Sequence, residues 1–283
     1  MTTMVTSALR RVLLGTALIA AAIAVVPAQQ RPAPARTAAD EAVRPLRLIF
    51  LGHDREHHPS GKLLPLIAAP LARRGIQFTH VSTPEEALNA ATLKHYDGIV
   101  MYANHETITP EQEQALVDFV EGGKALIALH CASFMFTKSP RFIPMVGGQF
   151  LRHGTGEFTA EIIAPDHPVM KGLKPFTTWD ETYVHTRHNT VDRTVLMERV
   201  DSEGREPYTW VRTQGKGRVF YTAFGHDERT WGNPGFRQLV EQGIVWAVDD
   251  QARAAWQRLK MPEVEYVEGF NVPNYEKRDP APR

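Results

Sequence analysis

The sequence predicts an α/β fold: an open, mostly parallel sheet with helices on both faces and an antiparallel extension. Three observations predict it. Short apolar runs alternate with helix-spaced segments through the first half of the chain. The second half carries strand-like segments joined by turns rather than helices. Composition argues for no other class: of 283 residues 43% are hydrophobic and 23% charged. Those fractions exclude a disordered chain, a coiled coil and a multi-span membrane protein. The 32 Lys and Arg balance the 32 Asp and Glu, so there is no long-range pull toward nucleic acid or anionic lipid. The single cysteine, Cys131, excludes a disulfide scaffold and a multi-Cys zinc site.

Residues 1–28 read as an address. Arg10 and Arg11 precede a largely apolar run over residues 12–26, and Val26-Pro27-Ala28 places small residues at the −3 and −1 positions of a cleavage site. This is the three-part pattern of a secretory signal, with a weak twin-arginine character, and the run is short for a membrane span. An uncleaved anchor is the alternative. The expected location is periplasmic or secreted, with no membrane span after cleavage. Residues 29–44, rich in Ala, Pro and Arg, read as a flexible leader. Residues 45–249 suit one α/β domain, and residues 250–283, polar and Pro-containing, read as a C-terminal tail.

Within the domain, LRLIFL (46–51) is the first strand, ending at Gly52. Residues 62–74 are apolar at helical spacing, with a bend expected at Pro70. Residues 76–81 form a second strand, and Thr83-Pro84-Glu85-Glu86 opens a short helix to about Leu93. YDGIVMYA (96–103) is a third strand, apolar on both faces as a buried parallel strand should be. Thr109-Pro110-Glu111-Gln112 supplies an N-cap, a proline at the first helical position and an acid in the first turn, and Gly122-Gly123 ends that helix. KALIAL (124–129) is the fourth strand. Residues 158–163, 181–187, 194–200 and 208–213 are strand-like, and Gly215-Lys216-Gly217 turns into RVFYTAF (218–224). No helix comes after that turn, so a hairpin fits it better than a phosphate loop. Residues 233–248 form the last helix.

In open parallel sheets, ligands bind at the carboxyl ends of the strands. Of the 12 histidines, several stand at those exits: His53, His57 and His58 after the first strand, His105 beside Asn104 after the third, His130 after the fourth and His226 before Asp227 after the late strand. Such a rim suits proton transfer near neutral pH, because imidazole titrates there and a neighbouring carboxylate fixes its tautomer. It also suits a divalent metal held through imidazole and carboxylate, although Cys-x-x-Cys and His-Glu-x-x-His patterns are absent. Small Ala128 and Ala132 flank His130 as a sharp strand-to-helix elbow requires. Cys131 is then a buried small residue beside a functional His, rather than half of a Cys–His nucleophile pair.

These motifs, in this order, resemble the ThuA-like family, named for trehalose utilisation. The resemblance spans about residues 46–248. It rests on His57-His58, Tyr96-Asp97, Ile108-Thr109-Pro110-Glu111-Gln112, Gly122-Gly123, Ala128-Leu129-His130, the loop Gly147-Gly148-Gln149-Phe150-Leu151-Arg152-His153, His167-Pro168-Val169, Asp180-Glu181-Thr182-Tyr183, Pro207-Tyr208-Thr209-Trp210, Gly215-Lys216-Gly217 and Gly225-His226-Asp227. It implies a flavodoxin-like fold similar to class I glutamine amidotransferases. The elbow holds His130 where that relative has its catalytic Cys, so glutaminase chemistry is not implied. It implies a role in carbohydrate catabolism, with acid/base chemistry on a glycoside or oxidised (keto) sugar by a hydrolase, lyase or isomerase. The expected catalytic residues are His58, His130, Glu181, His226 and Asp227, with Asp227 orienting His226. Expected sugar contacts are His57, Asn104, His105, Phe150, His153 and Tyr183, with Phe150 and His153 closing the crevice from a loop. A divalent metal and a homo-oligomer stay open. A non-catalytic periplasmic sugar- or partner-binding module is the alternative.

Overall fold

A computed structural model of the protein describes residues 43–261. The expected signal, nearly all of the leader and the end of the tail lie outside the described residues.

The first half alternates as its sequence requires. Strands β1 (Leu46–Leu51), β2 (Ile76–Val81), β3 (Gly98–Met101) and β4 (Ala125–Leu129) are separated by helices α1 (Ser60–Ala72), α2 (Pro84–Ala87), α3 (Ala90–Leu93) and α4 (Pro110–Glu121). The expected single helix before β3 is two, because Asn89 stops one and accepts the Thr92 N–H to cap the next. Helix α1 runs through both Pro65 and Pro70 to Ala72. Every residue of β3 and β4 is buried, which their unbroken apolar sequence anticipates. The cap of α4 is a full capping box: Thr109 Oγ1 accepts from the Gln112 N–H, and Gln112 Oε1 accepts from the Thr109 N–H.

After β4, a 3-10 turn over His130–Phe134 leads to α5 (Phe142–Val146). Then come β5 (Gln149–Thr159), β6 (Glu161–Ile162), β7 (Thr177–Thr186), β8 (Arg193–Asp201), β9 (Gly204–Gln214), β10 (Gly217–Thr222), α6 (Glu228–Trp231), α7 (Pro234–Ala247) and α8 (Asp250–Gln257). The main sheet has the order β2-β1-β3-β4-β10-β9-β8-β6. Neighbours from β2 to β10 are parallel, and β9, β8 and β6 extend the sheet antiparallel. The β9–β10 hairpin closes at the Gly215-Lys216-Gly217 turn, as expected.

Two expectations are corrected. The Gly147–His153 stretch is not a loop closing the crevice. From Gln149 it is a long strand, β5, which pairs with β7 in a separate two-stranded ribbon. Its sequence, QFLRHGTGEFT, is exposed along most of its length and contains two glycines, so it lacks a strand's apolar alternation. The start of the expected tail is a helix: Asp249 caps α8 by accepting the Ala252 N–H, Ala252 and Ala255 are buried, and Trp256 Nε1 donates to the Arg74 carbonyl. Two alanines were too small an apolar face to reveal it.

Order β2-β1-β3-β4 reverses direction between β1 and β3. The crevice at that switch point is where such sheets bind ligands, and the loops after β1, β3, β4 and β10 open there.

Candidate functional site

The loop after β1 is folded by its own polar groups. Ser60 Oγ accepts the His53 N–H at 2.8 Å and donates to the His53 carbonyl at 2.6 Å. His105 Nε2 lies 3.1 Å from the Gly52 carbonyl. The loop delivers His58 buried, with a left-handed backbone (φ 61°). The elbow after β4 is real: His130 has φ 46° and is fully buried between buried Ala128 and Ala132. Left-handed non-glycine residues of this kind concentrate at functional sites because they carry strain. His130 Nδ1 lies 2.6 Å from the Ala223 carbonyl. A carbonyl only accepts, so this nitrogen carries a proton and Nε2 faces the crevice.

His226 is placed by β7. The fully buried Asp180 carboxylate accepts the N–H groups of Gly225 (2.8 Å), His226 (3.1 Å) and Glu181 (2.8 Å) and the Thr230 hydroxyl (2.8 Å). Tyr102 Oη donates to the Gly225 carbonyl at 2.6 Å, and Trp231 Nε1 donates to the same oxygen at 2.8 Å. Gly225 has φ 133°, and a Cβ there would meet His130 Cβ at 3.3 Å, so only glycine fits. Alternation along β7 then sends Glu181 and Tyr183 to the face opposite Asp180.

Three strand exits and β7 thus meet at one point. Glu181 Oε2 lies 3.2 Å from His130 Nε2, and Oε1 lies 3.1 Å from His226 Nδ1 and 3.5 Å from His153 Nε2. His226 Nδ1 is 3.3 Å from His58 Nε2, and His58 Nδ1 is 3.4 Å from the Asn104 amide. Tyr183 stacks on His130 with ring centroids 4.2 Å apart. Above them opens a cavity of about 300 Å³ lined by His57, His58, Asn104, Phe134, Phe150, His153, Glu181 and Tyr183.

Electrostatics reflect this crowding. Burial, then neighbouring His130 and His226, push the His58 imidazole down to about 2, so it stays neutral. Burial alone raises the Glu181 carboxyl, but His130 and His226 outweigh it and hold the group far below the usual carboxylate range. Burial alone lowers His226, but Glu181 reverses that and raises it. Burial pushes the Cys131 thiol well up. The thiol is therefore an inert neighbour of His130.

The structure brings together His58, His130, Glu181 and His226, and around them His57, Asn104, Phe150, His153 and Tyr183. Two expected residues fall outside. Asp227 does not orient His226: its carboxylate takes the Arg229 N–H and guanidinium and caps α6. Glu181 is the carboxylate at His226. His105 lies behind the cavity, on the Gly52 carbonyl and 6.5 Å from the Phe136 ring. Sequence reasoning missed Asp180, Tyr102 and Phe134. Asp180 and Glu181 are neighbours in the Asp180-Glu181-Thr182-Tyr183 motif, and the alternation of a strand there was the signal that separates their roles.

Among the described residues two groups bring metal-ligand atoms within 4.8 Å of one another: His58, His130, Glu181 and His226, and His53, His58 and Cys131. The first has three imidazoles and one carboxylate at the cavity floor, a donor set suited to divalent first-row metals.

A sequence model of the family described as ThuA, trehalose utilisation, matches residues 47–247. No curated protein matches the chain. Among solved structures it is similar to a ThuA-like protein from Parabacteroides merdae (21% identity, 72% of this chain and 90% of that one, TM-score 0.64). It is also similar to a ThuA-like protein from Bacteroides uniformis (20% identity, 79% and 99%, TM-score 0.65). A cytoplasmic protein from Salmonella typhimurium shares the fold at 14% identity (72% and 100%, TM-score 0.53). At these identities the likeness is one of fold.

Proposed function

The chain belongs to the ThuA family, and on that premise we propose that it acts on a small carbohydrate, a glycoside or an oxidised sugar, by acid/base chemistry at the histidine–Glu181 floor. The observation that carries this reading is the meeting of His58, His130 and His226, from three strand-exit segments, with Glu181 of β7, beneath a cavity of about 300 Å³. The cavity's mixed lining supports a sugar ring: Phe134, Phe150 and Tyr183 offer apolar faces, while Asn104, His57 and His153 offer hydrogen bonds. Glu181, ionised and flanked by imidazoles on both oxygens, raises the basicity of His226, which is the proton acceptor. His153, partly exposed at the mouth and 3.5 Å from Glu181, exchanges that proton with solvent. The buried imidazoles hold the reacting oxygen. Proton abstraction beside a carbonyl, with its oxygen held in this way, is within this inventory. With residues 1–28 as an export signal, we place this activity in the periplasm or outside the cell.

Glycosides and their keto derivatives incubated with wild type, Glu181→Gln and His153→Ala test the reading. Turnover by wild type, with a loss of about 10²–10⁴-fold in Glu181→Gln and a shifted pH profile in His153→Ala, is expected. Saturable sugar binding without turnover would leave a binding module instead.

A further inference from the structure

We infer that the cavity floor is a metal centre: His58, His130, Glu181 and His226 hold one divalent first-row transition ion. The inference goes beyond the acid/base reading and rests on it only for the choice of cavity.

Polar atoms at this buried point are left poorly paired. His130 is fully buried, and its Nδ1 proton is committed to the Ala223 carbonyl at 2.6 Å. Its Nε2 is buried without a well-formed hydrogen bond and lies 3.2 Å from Glu181 Oε2. On the other side, Asn104 Oδ1 is buried without a partner, while the amide nitrogen sits 3.4 Å from His58 Nδ1. Three imidazoles and a carboxylate converge here, with one ligand atom of each within 4.8 Å of all the others. Nitrogen and oxygen ligand atoms converging in a buried site favour a cation between them.

Distance and orientation agree. Metal–nitrogen bonds of about 2.0–2.1 Å give a tetrahedral edge of about 3.3 Å. Separations of 3.1 Å (His226 Nδ1 to Glu181 Oε1), 3.2 Å (His130 Nε2 to Glu181 Oε2) and 3.3 Å (His226 Nδ1 to His58 Nε2) are of that order, and one ligand atom from each residue lies within 4.8 Å of all the others. An imidazole whose far nitrogen donates to a backbone carbonyl is oriented as metal-bound histidines are. Three imidazoles and one carboxylate select Zn, Mn, Fe, Co or Ni over Mg or Ca. With an ion in place, the floor polarises a sugar oxygen as a Lewis acid. His153, which belongs to neither donor group, keeps the exchange of protons with solvent.

The test uses the untagged full chain purified without chelator. Elemental analysis should find about one transition-metal equivalent per chain. Chelator-stripped protein titrated with Co(II) should develop the visible d–d bands of a low-symmetry nitrogen–oxygen site and a higher Tm. Glu181→Gln, nearly isosteric, should weaken Co(II) binding by at least about 10-fold, and His130→Ala should abolish the bands. If His130→Ala fails to fold, the wild-type stoichiometry and Glu181→Gln decide. Wild type that takes up no stoichiometric ion and shows no bands overturns the inference, as does Glu181→Gln binding as tightly as wild type. Chelation that leaves sugar turnover unchanged sinks the metal and keeps the acid/base reading. A bound ion without sugar turnover does the reverse.

Discussion

The parallel half of the main sheet and the β5–β7 ribbon build the same cavity by different means. The sheet supplies imidazoles from loops at the ends of almost fully buried strands, and two of the three, His58 and His130, arrive on left-handed backbone. The ribbon supplies Glu181, Tyr183, Phe150 and His153 from the bodies of long strands, one of them mostly exposed. The difference shows where rigidity comes from. A loop residue is fixed by polar contacts made behind it, whereas a strand residue is fixed by register. Asp180 joins the two, since it stands on β7 and holds the backbone of the loop that carries His226.

The sharpest way to break that comparison is to cut the join. Asp180→Ala leaves the N–H groups of Gly225 and His226 buried without their acceptor. It should cost about 3–4 kcal/mol in denaturant unfolding and most of the activity. A loss under about 1 kcal/mol would mean that the loop and the ribbon are independent. On the loop side, Gly225→Ala forces a left-handed φ on a residue with a Cβ and presses it on His130. A destabilisation of about 2 kcal/mol is expected, with altered kinetics showing that the elbow has moved.

The parallel half should also announce itself in acid. Burial first, then His105, pushes His53 down to about 4, whereas the unfolded chain titrates near 6.5. The unfolded state therefore binds more protons between these values. Stability is full above about pH 6.5 and falls as pH drops toward about 4. In urea unfolding at pH 7.5 and pH 5, His53 should account for on the order of 1–2 kcal/mol of the difference, with His58 adding to it, and His53→Phe should remove the His53 share. Asp227→Ala should do least. It removes the cap of α6, worth about 1 kcal/mol, and should leave turnover within about 2-fold. A larger loss of activity would return Asp227 to the site.

Much of the sheet was legible because burial writes itself into sequence. The runs LRLIFL and KALIAL are apolar on both faces, and Thr109-Pro110 and Gly122 frame a helix with standard chemistry. The exit histidines were legible because each apolar strand gives way abruptly to a polar loop. The ribbon was not. β5 buries almost nothing, so no periodicity marks it, and the partner that holds it, β7, lies some twenty residues downstream. Asp227 was misjudged for a related reason: adjacency along the chain suggested that it served His226, but its carboxylate turns to Arg229 and α6. The carboxylate that meets His226 comes from another sheet.

Because β5 pairs only with β7 among the described residues, its Phe150 borders the cavity through Phe134 and Tyr183 rather than through the histidine–Glu181 floor. Phe150 can therefore be exchanged by protein engineering to change what the cavity admits, while the histidine–Glu181 floor beneath it is left alone. The cavity wall at Phe150 and the carboxylate at the cavity floor thus stand on separate strands of one ribbon.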